Sequence, residues 1–169
     1  DLTCGNEWIV WLEFLVALLL LFKGTVPLAG LGIFVLYLLA IGQFGFFHML
    51  DYLMFLGVGY YFIAGNAKAA IVQRTALPAL YATVGSCLIW LGIEKLIYPS
   101  WTAYVLEHHP TLSLGLDWDL FIVAAAFVEI CLGFVIMVCV QQRLLVVATT
   151  LVFFLTTLVF GRAEVVGHT

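Results

Sequence analysis

The chain has 169 residues, of which 65% are hydrophobic and only 9% are charged. Soluble domains carry about 25% charged residues, so this composition excludes an ordinary soluble domain, whose core cannot absorb so much apolar surface. The formal net charge is −4 and the six basic residues form no run, which excludes a nucleic-acid partner.

Apolar runs near 20 residues recur along the whole chain. They lie at 3–22, 26–42, 46–64, 79–98, 119–140 and 144–160. Runs of this length predict membrane-spanning helices, because a helix satisfies its own backbone hydrogen bonds in lipid. The fold class that we predict is an all-α integral membrane protein with at least six transmembrane helices, surrounded by membrane lipid.

The distribution of basic residues predicts the orientation of these segments. Most of them fall in the connections after the first, third and fifth segments: Lys23, Lys68, Arg74 and Arg143. The opposite connections carry only Lys95, at a helix end, and Arg162. By the positive-inside rule the first set is cytoplasmic, so the aromatic-rich loop 99–118 lies on the outer side as an interfacial cap.

The chain aligns with itself at a constant offset of 116 residues without a gap. Matches between two leucine-rich helices are common, so the signal comes from the polar and glycine positions. These are Asp1 with Asp117, Glu13 with Glu129, and Phe44-Gly45 with Phe160-Gly161. We infer an internal duplication.

The duplication predicts two four-helix units in the same orientation. Segments one and two correspond to segments five and six, whereas the counterpart of segment four would precede Asp1 and that of segment three would follow Thr169. We predict a first unit at 1–64 that lacks its first helix, a cytoplasmic linker at 65–78, and a second unit at 79–169 that lacks its last helix.

Four stretches of the second unit carry a resemblance to a known family. They are 85–99 (GSCLIWLGIEKLIYP), 124–133 (AAAFVEICLG), 142–144 (QRL) and 161–168 (GRAEVVGH). In order and spacing they resemble the first helix, the second helix with its central glutamate, the turn into the third helix and the junction with the fourth helix of the DoxX-like family. The chain departs from the family in its doubled unit, and in having His48 where the repeat alignment places Glu164.

The resemblance implies a small helical bundle in the cytoplasmic membrane of a bacterium or an archaeon. One branch of the family includes the membrane subunit of a thiosulfate:quinone oxidoreductase. The function that the resemblance leads us to expect is that of an integral membrane subunit of a redox complex, with quinone-linked electron transfer and with protein partners in the same membrane.

Glu13 and Glu129 are the candidate catalytic residues. Each lies near the middle of a predicted span, where a charged carboxylate is costly and faces protein or water. Three roles stay open: a neutral carboxylic acid bonded to a neighbouring helix, a group that handles protons or binds a ligand such as a quinone, and a metal ligand.

Lys95 follows Glu94 at the outer end of segment four. Its long side chain can extend to the membrane interface or reach across to Glu129. The sequence favours an ion pair with Glu129 over catalysis, and a role for Lys95 in cofactor binding is the alternative.

Two pairs of residues are candidate metal ligands, namely His48 with Asp51 and Glu164 with His168. Their spacings of three and four residues place each pair on one helix face, and the topology puts both pairs on the outer side. Imidazoles and carboxylates suit iron, manganese or zinc. The alternative is that they are helix caps and interfacial polar residues.

Glycines and aromatic residues in segments two and three allow two interpretations. Close helix packing is predicted at Gly30, Gly32, Gly57 and Gly59. The alternative is an aromatic-lined slot for a quinone or a lipid tail, with Tyr60 or His48 as the polar group at its mouth. A quinone and a metal ion are thus the two cofactors that the sequence suggests.

Two other functions fit the same residues. A structural or assembly subunit would pack its apolar faces against larger partners and would tolerate glutamine at Glu13 and Glu129. A transporter of a small solute or an ion would use the parallel repeat and the midplane carboxylates. Transport ranks last, because the sequence shows none of the broken helices that transport sites prefer.

Overall fold

The computed structural model describes residues 7–113, 115–138 and 147, and no strand occurs among them. The all-α class is therefore confirmed for this part of the chain. The helices of residues 7–138 are α1 (Glu7–Leu20), α2 (Val26–Phe44), α3 (Phe46–Met49), α4 (Met54–Gly65), α5 (Ala70–Ile97), α6 (Pro99–His108) and α7 (Trp118–Val138). Two short 3₁₀ segments, Leu50–Tyr52 and Pro110–Ser113, lie between them.

Three helices of the described residues, α2, α5 and α7, are long and apolar enough to cross a membrane. The bent pair α3 and α4 meets the same test as one broken span, and α1 is apolar but shorter. These helices are compatible with a membrane protein. The sixth predicted segment, 144–160, lies outside the described residues apart from Val147, so the number of six spans stays a prediction.

A short turn joins α1 to α2. The Thr25 hydroxyl donates to the backbone oxygen of Leu19 in α1 at 2.5 Å and to that of Phe22 in the turn at 2.8 Å. A proline near the first residue of α2 costs the helix no hydrogen bond, because a backbone N–H at that position has no acceptor within the helix. Since the connection is short and the two helices pack together, they run antiparallel.

Glycines set the closest helix contacts, as the sequence predicts. A β-carbon built on Gly30 in α2 would lie 2.6 Å from the backbone oxygen of Gly59 in α4. A β-carbon on Gly57 would collide with the Thr83 side chain of α5, and one on Gly32 would press on Val16 of α1. The packing interpretation of these glycines is therefore confirmed at all four predicted positions.

The span predicted at 46–64 is broken, and this corrects the expectation that the chain has no broken helix. Gly45 has a φ of +86°, which favours glycine, and it separates α2 from α3. The segment Phe46–Tyr52 then meets α4 at an angle of 60°.

Side chains from other helices bond the carbonyl groups beside the break. The Tyr37 hydroxyl donates to the backbone oxygen of Met49 at 2.6 Å, and the Cys87 thiol donates to that of Asp51 at 2.8 Å. An apolar run cannot reveal this break, because its stabilising partners are distant in sequence.

We expect Tyr37→Phe to lower the free energy of unfolding by about 1–2 kcal/mol, because a buried carbonyl then loses a hydrogen bond. Chemical denaturation of the purified protein in detergent measures this loss. Tyr61→Phe is the matched control, since Tyr61 is exposed and has no hydrogen bond to the described residues. Equal losses in the two variants would contradict the role of the Tyr37 bond.

Helix α5 begins at Ala70, well before residue 79, where its apolar run was predicted to start. The residues before 79 include Gln73, Arg74 and Thr75, which lower the hydropathy but are compatible with a helix. The Gln73 side chain also donates to the backbone oxygen of Ala67 at 2.7 Å and so closes the preceding turn. Arg74 consequently lies within a helix and not in a connection.

Most of the predicted outer loop 99–118 is helical. Helix α6 begins at Pro99, where proline is well tolerated. It packs against α7, and its Leu106 side chain is buried. Its aromatic side chains Trp101 and Tyr104 are exposed, and the Trp101 ring stacks at 4.9 Å on that of Tyr98, which precedes the helix. An Asp117 carboxylate oxygen then accepts backbone N–H bonds at the start of α7, at 3.1 and 3.3 Å.

The described part of the chain divides between Leu88 and Ile89 into two compact units. In the first unit, α2 packs against both α1 and α4. The second unit contains the last part of α5 together with α6 and α7. The two compact units are defined by their internal packing. The predicted boundaries at 1–64, 65–78 and 79–169 come from the inferred duplication, and they stay a prediction.

Candidate functional site

The last turns of α5 approach α7 closely at Gly92. A β-carbon built on Gly92 would lie 2.7 Å from the backbone oxygen of Ala126 and 2.7 Å from the Ile130 side chain. Ala126 is itself completely buried. Two small residues therefore let the helix backbones meet here.

An ion pair between Lys95 and Glu129 lies beside this contact. The Lys95 Nζ atom donates to the Glu129 Oε2 atom at 2.9 Å. Lys95 follows Gly92 by three residues and Glu129 follows Ala126 by three, so the close contact brings both side chains to the same interface. The ion pair that the sequence favours is confirmed.

The pair of Lys95 and Glu129 is partly buried, whereas a surface salt bridge is exposed to water. The Lys95 and Glu129 side chains are 23% and 27% exposed, respectively. Exposed ion pairs contribute little because water and salt screen them, whereas partly covered charges depend on each other. The geometry therefore allows the pair to join α5 to α7, and it commits one Glu129 oxygen to the lysine.

Glu13, which the predicted repeat aligns with Glu129, has different surroundings. It is exposed on the surface of α1, and no described residue lies within ion-pair distance of it. The Val16 side chain of α1 lies against Gly32 of α2, and this contact shows which part of α2 lies beside Glu13. Since α1 and α2 are antiparallel, Glu13 lies about 4.5 Å beyond that contact, level with the middle of α2.

His48 and Asp51 are neighbours at the broken helix, as their spacing predicts. The His48 Nδ1 atom lies 3.9 Å from the Asp51 Oδ2 atom, which is longer than a hydrogen bond. The imidazole ring also packs beside Phe44 and Tyr52, with ring centroids 6.0 and 5.8 Å away.

The predicted metal site is only partly described. Within residues 7–113 and 115–138, no three His, Cys, Asp or Glu side chains form a group that could hold a metal ion. The other two predicted ligands, Glu164 and His168, lie outside the described residues. The metal site stays a prediction.

Tyr60 forms a hydrogen bond between α4 and α5. Its hydroxyl lies 2.7 Å from the Thr75 hydroxyl, which itself donates to the backbone oxygen of Val72 at 2.7 Å. Tyr60 is therefore the donor to Thr75. The hydroxyl proposed for a quinone is engaged within the protein, and quinone binding stays a prediction.

No known protein family, curated protein or solved structure shows significant similarity to this chain. The likeness to the DoxX-like family therefore rests on the four sequence stretches. Two of them, 85–99 and 124–133, contain Gly92 with Lys95 and Ala126 with Glu129, and so contribute the residues of the α5–α7 contact.

Two polar contacts were not predicted from the sequence. Tyr37 and Cys87 lie within apolar runs, where their side chains look like ordinary packing residues. They are 12 and 36 residues away from the backbone oxygens that they bond. Gly45 is a local signal for the end of α2, since a glycine at the end of an apolar helix often marks its termination.

Proposed function

We propose that this chain is an integral membrane subunit of a larger complex, in which it acts mainly by helix packing. The observation that carries the proposal is the ion pair between Lys95 and Glu129. It joins two apolar helices, and both are long enough to cross a membrane.

Membrane depth explains why such a pair is suited to assembly. An isolated charge among apolar helices is costly, so each member of the pair stabilises the other only while the helices stay together. The Gly92 contact and the ion pair thus act at the same interface. A carboxylate held in this way fits a structural role better than that of a free proton acceptor.

The resemblance to the DoxX-like family favours a redox complex as the setting. The chain would then anchor the partner that transfers electrons to quinone, in the cytoplasmic membrane of a bacterium or an archaeon. The outer helix α6, with exposed Trp101 and Tyr104, is suited to the membrane interface beside such a partner.

The size of the complex tests this proposal. The full-length tagged protein, extracted from its native membrane with a mild detergent, is expected to migrate in native electrophoresis with other proteins in a fixed ratio. The Lys95→Met/Glu129→Gln double variant is expected to retain that ratio. A monodisperse protein without partners, both before and after mild chemical crosslinking in the membrane, would contradict the proposal.

Transport of a small solute or ion is the second candidate, because the broken helix at Phe46–Gly65 favours it. However, two carbonyl groups at the break, those of Met49 and Asp51, accept hydrogen bonds from Tyr37 and Cys87. Uptake by proteoliposomes that contain the purified protein, compared with protein-free liposomes, separates this candidate from an assembly subunit.

A further inference from the structure

Two connections that carry lysine lie at the same end of the first compact unit. A β-carbon built on Gly30, near the start of α2, would lie 2.9 Å from the Ile63 side chain near the end of α4. The turn before α2 and the connection after α4 are therefore neighbours. Lys23 lies in that turn and Lys68 in that connection, and both side chains are exposed.

Arg74 belongs to the same end of the unit. The hydroxyl of its neighbour Thr75 is hydrogen-bonded at 2.7 Å to that of Tyr60 in the second half of α4. Arg74 is exposed about one turn after the start of α5, so its long side chain can reach the end of the helix. We call residues 21–25 and 66–74 together the basic end.

No described carboxylate lies at the basic end. Between Glu13 and Glu94 the sequence contains one acidic residue, Asp51, and it lies at the helix break beyond the far end of α2. Glu13 precedes the end of α1 by about 10 Å along the helix. None of the three basic side chains has a described carboxylate within ion-pair distance.

The basic end also exposes large apolar side chains. Leu21 and Phe22 in the turn before α2 are 74% and 62% exposed, and Ile71 in the first turn of α5 is 76% exposed. Ile71 precedes Arg74 by three residues, so the two lie on one face of α5. Basic and apolar side chains presented together are typical of surfaces that bind anionic membranes, because the apolar groups enter the lipid while the cations meet the headgroups.

The position of the basic end along the helices matches the depth of lipid headgroups. Helix α2 is long enough to cross a membrane, and Lys23 precedes its first residue by three. Residues just outside a spanning helix lie among the headgroups. The positive-inside rule predicts this end on the cytoplasmic side, where the leaflet carries anionic lipids. The charge of these lipids is complementary to that of the basic end.

We propose that the basic end binds the phosphate groups of anionic phospholipids in the cytoplasmic leaflet. The three basic side chains contact the phosphates, and the three exposed apolar side chains enter the adjoining acyl chains. Exposed apolar side chains favour a lipid over a soluble phosphate or an acidic peptide, because the lipid also supplies an apolar part. This inference rests on the position in the membrane that the proposed function assigns to the chain, and it adds a class of lipid as a binding partner.

Photocrosslinking in reconstituted vesicles tests the position of the contact. The full-length protein is placed in phosphatidylcholine vesicles with a small amount of photoreactive lipid, either phosphatidylglycerol or phosphatidylcholine, with the same reactive group beside the headgroup. Mass spectrometry maps the labelled residues. We expect phosphatidylglycerol to label the basic end about fivefold more strongly, the preference that one basic side chain near an anionic surface provides. Helix α6, which contains no lysine or arginine, is the internal control and is expected to be labelled equally by both lipids.

Charge variants supply the second part of the test. Lys23→Gln/Lys68→Gln/Arg74→Gln is expected to lose the preference for phosphatidylglycerol, and high salt is expected to weaken it in the unchanged protein. The matched control is Lys23→Arg/Lys68→Arg/Arg74→Lys, which keeps the charge and is expected to keep the preference. Equal labelling of the basic end by the two lipids in the unchanged protein would overturn the proposal, whether or not the glutamine variant folds. A preference that survives in a folded glutamine variant would also overturn it.

Soluble competitors distinguish the lipid from other anions. Glycerol phosphate and a polyglutamate peptide, each added at the concentration of the photoreactive lipid, are expected to leave the labelling unchanged. Loss of labelling with glycerol phosphate would indicate a site for free phosphate, and loss with polyglutamate would indicate a site for an acidic peptide. Either result would overturn the proposal.

Native electrophoresis of membrane extracts separates failure of this inference from failure of the proposed function, because the vesicles contain the chain without partners. A lipid preference in a chain that migrates alone would contradict the assembly role and leave the lipid contact standing. Equal labelling in a chain that migrates with partners would contradict only the lipid contact. Release of the chain from vesicles by alkaline carbonate would contradict both.

Discussion

Replacing Gly30 with leucine is expected to lower the free energy of unfolding by about 3 kcal/mol, at the upper end of the usual cost of overpacking. The reason is that a β-carbon at Gly30 meets a backbone atom, the oxygen of Gly59 at 2.6 Å, which cannot move as a flexible side chain can. The side chains of Ile63 and Phe62 crowd the same point at 2.9 and 3.2 Å. Helices α2 and α4 must therefore separate.

Gly42→Leu is the matched control, because Gly42 lies on the same helix and a β-carbon there meets no atom within 4 Å. We expect Gly42→Leu to leave stability unchanged within about 1 kcal/mol, since it exchanges a poor helix former for a good one at an open position. Equilibrium denaturation of the two purified variants in the same detergent gives the comparison. Similar losses in both variants would show that the α2–α4 contact is not the cause.

Replacing Lys95 with methionine is expected to cost about 2 kcal/mol of stability. Breaking a fully buried ion pair costs about 3–5 kcal/mol, and we expect less here because each side chain is about a quarter exposed. The loss arises because the Glu129 carboxylate then lacks the partner that bonds it at the α5–α7 interface. The methionine fills nearly the same volume, so the change in packing is small.

Adding Glu129→Gln to the Lys95→Met variant is expected to recover most of this loss. The double variant has no charge at the interface, and neutral pairs of similar volume are often as stable as the ion pair they replace. Denaturation of the unchanged protein, both single variants and the double variant gives the coupling energy of the pair. Additive losses, with no recovery in the double variant, would contradict the pairing.

Residue patterns within one helix were sufficient to predict much of this structure. The apolar runs predicted α2 and α7 closely, and glycines in those runs predicted the close contacts at Gly30 and Gly57. The pair of Lys95 and Glu129 was predictable because charged residues are rare among apolar helices and must be compensated. In each case the physical requirement is visible in the sequence itself.

Features that depend on two distant segments were not predictable in the same way. The run at 46–64 is mostly apolar, and its sequence does not show that Tyr37 and Cys87 bond the carbonyl groups beside its break. The early start of α5 was missed because hydropathy measures solvent preference, and Gln73 and Arg74 form a helix despite their polarity. The surroundings of Glu13 and Glu129 also differ, although the predicted repeat aligns the two residues.

The amount and activity of the assembled complex in native membranes, compared between Lys95→Met and the Lys95→Met/Glu129→Gln double variant, tests the central claim most directly. If the pair joins helices and does no chemistry, the complex is depleted in Lys95→Met and returns to its normal amount and activity in the double variant. A double variant that folds and assembles normally but has lost the activity of the complex would contradict the claim, and would assign chemistry to the Glu129 carboxylate.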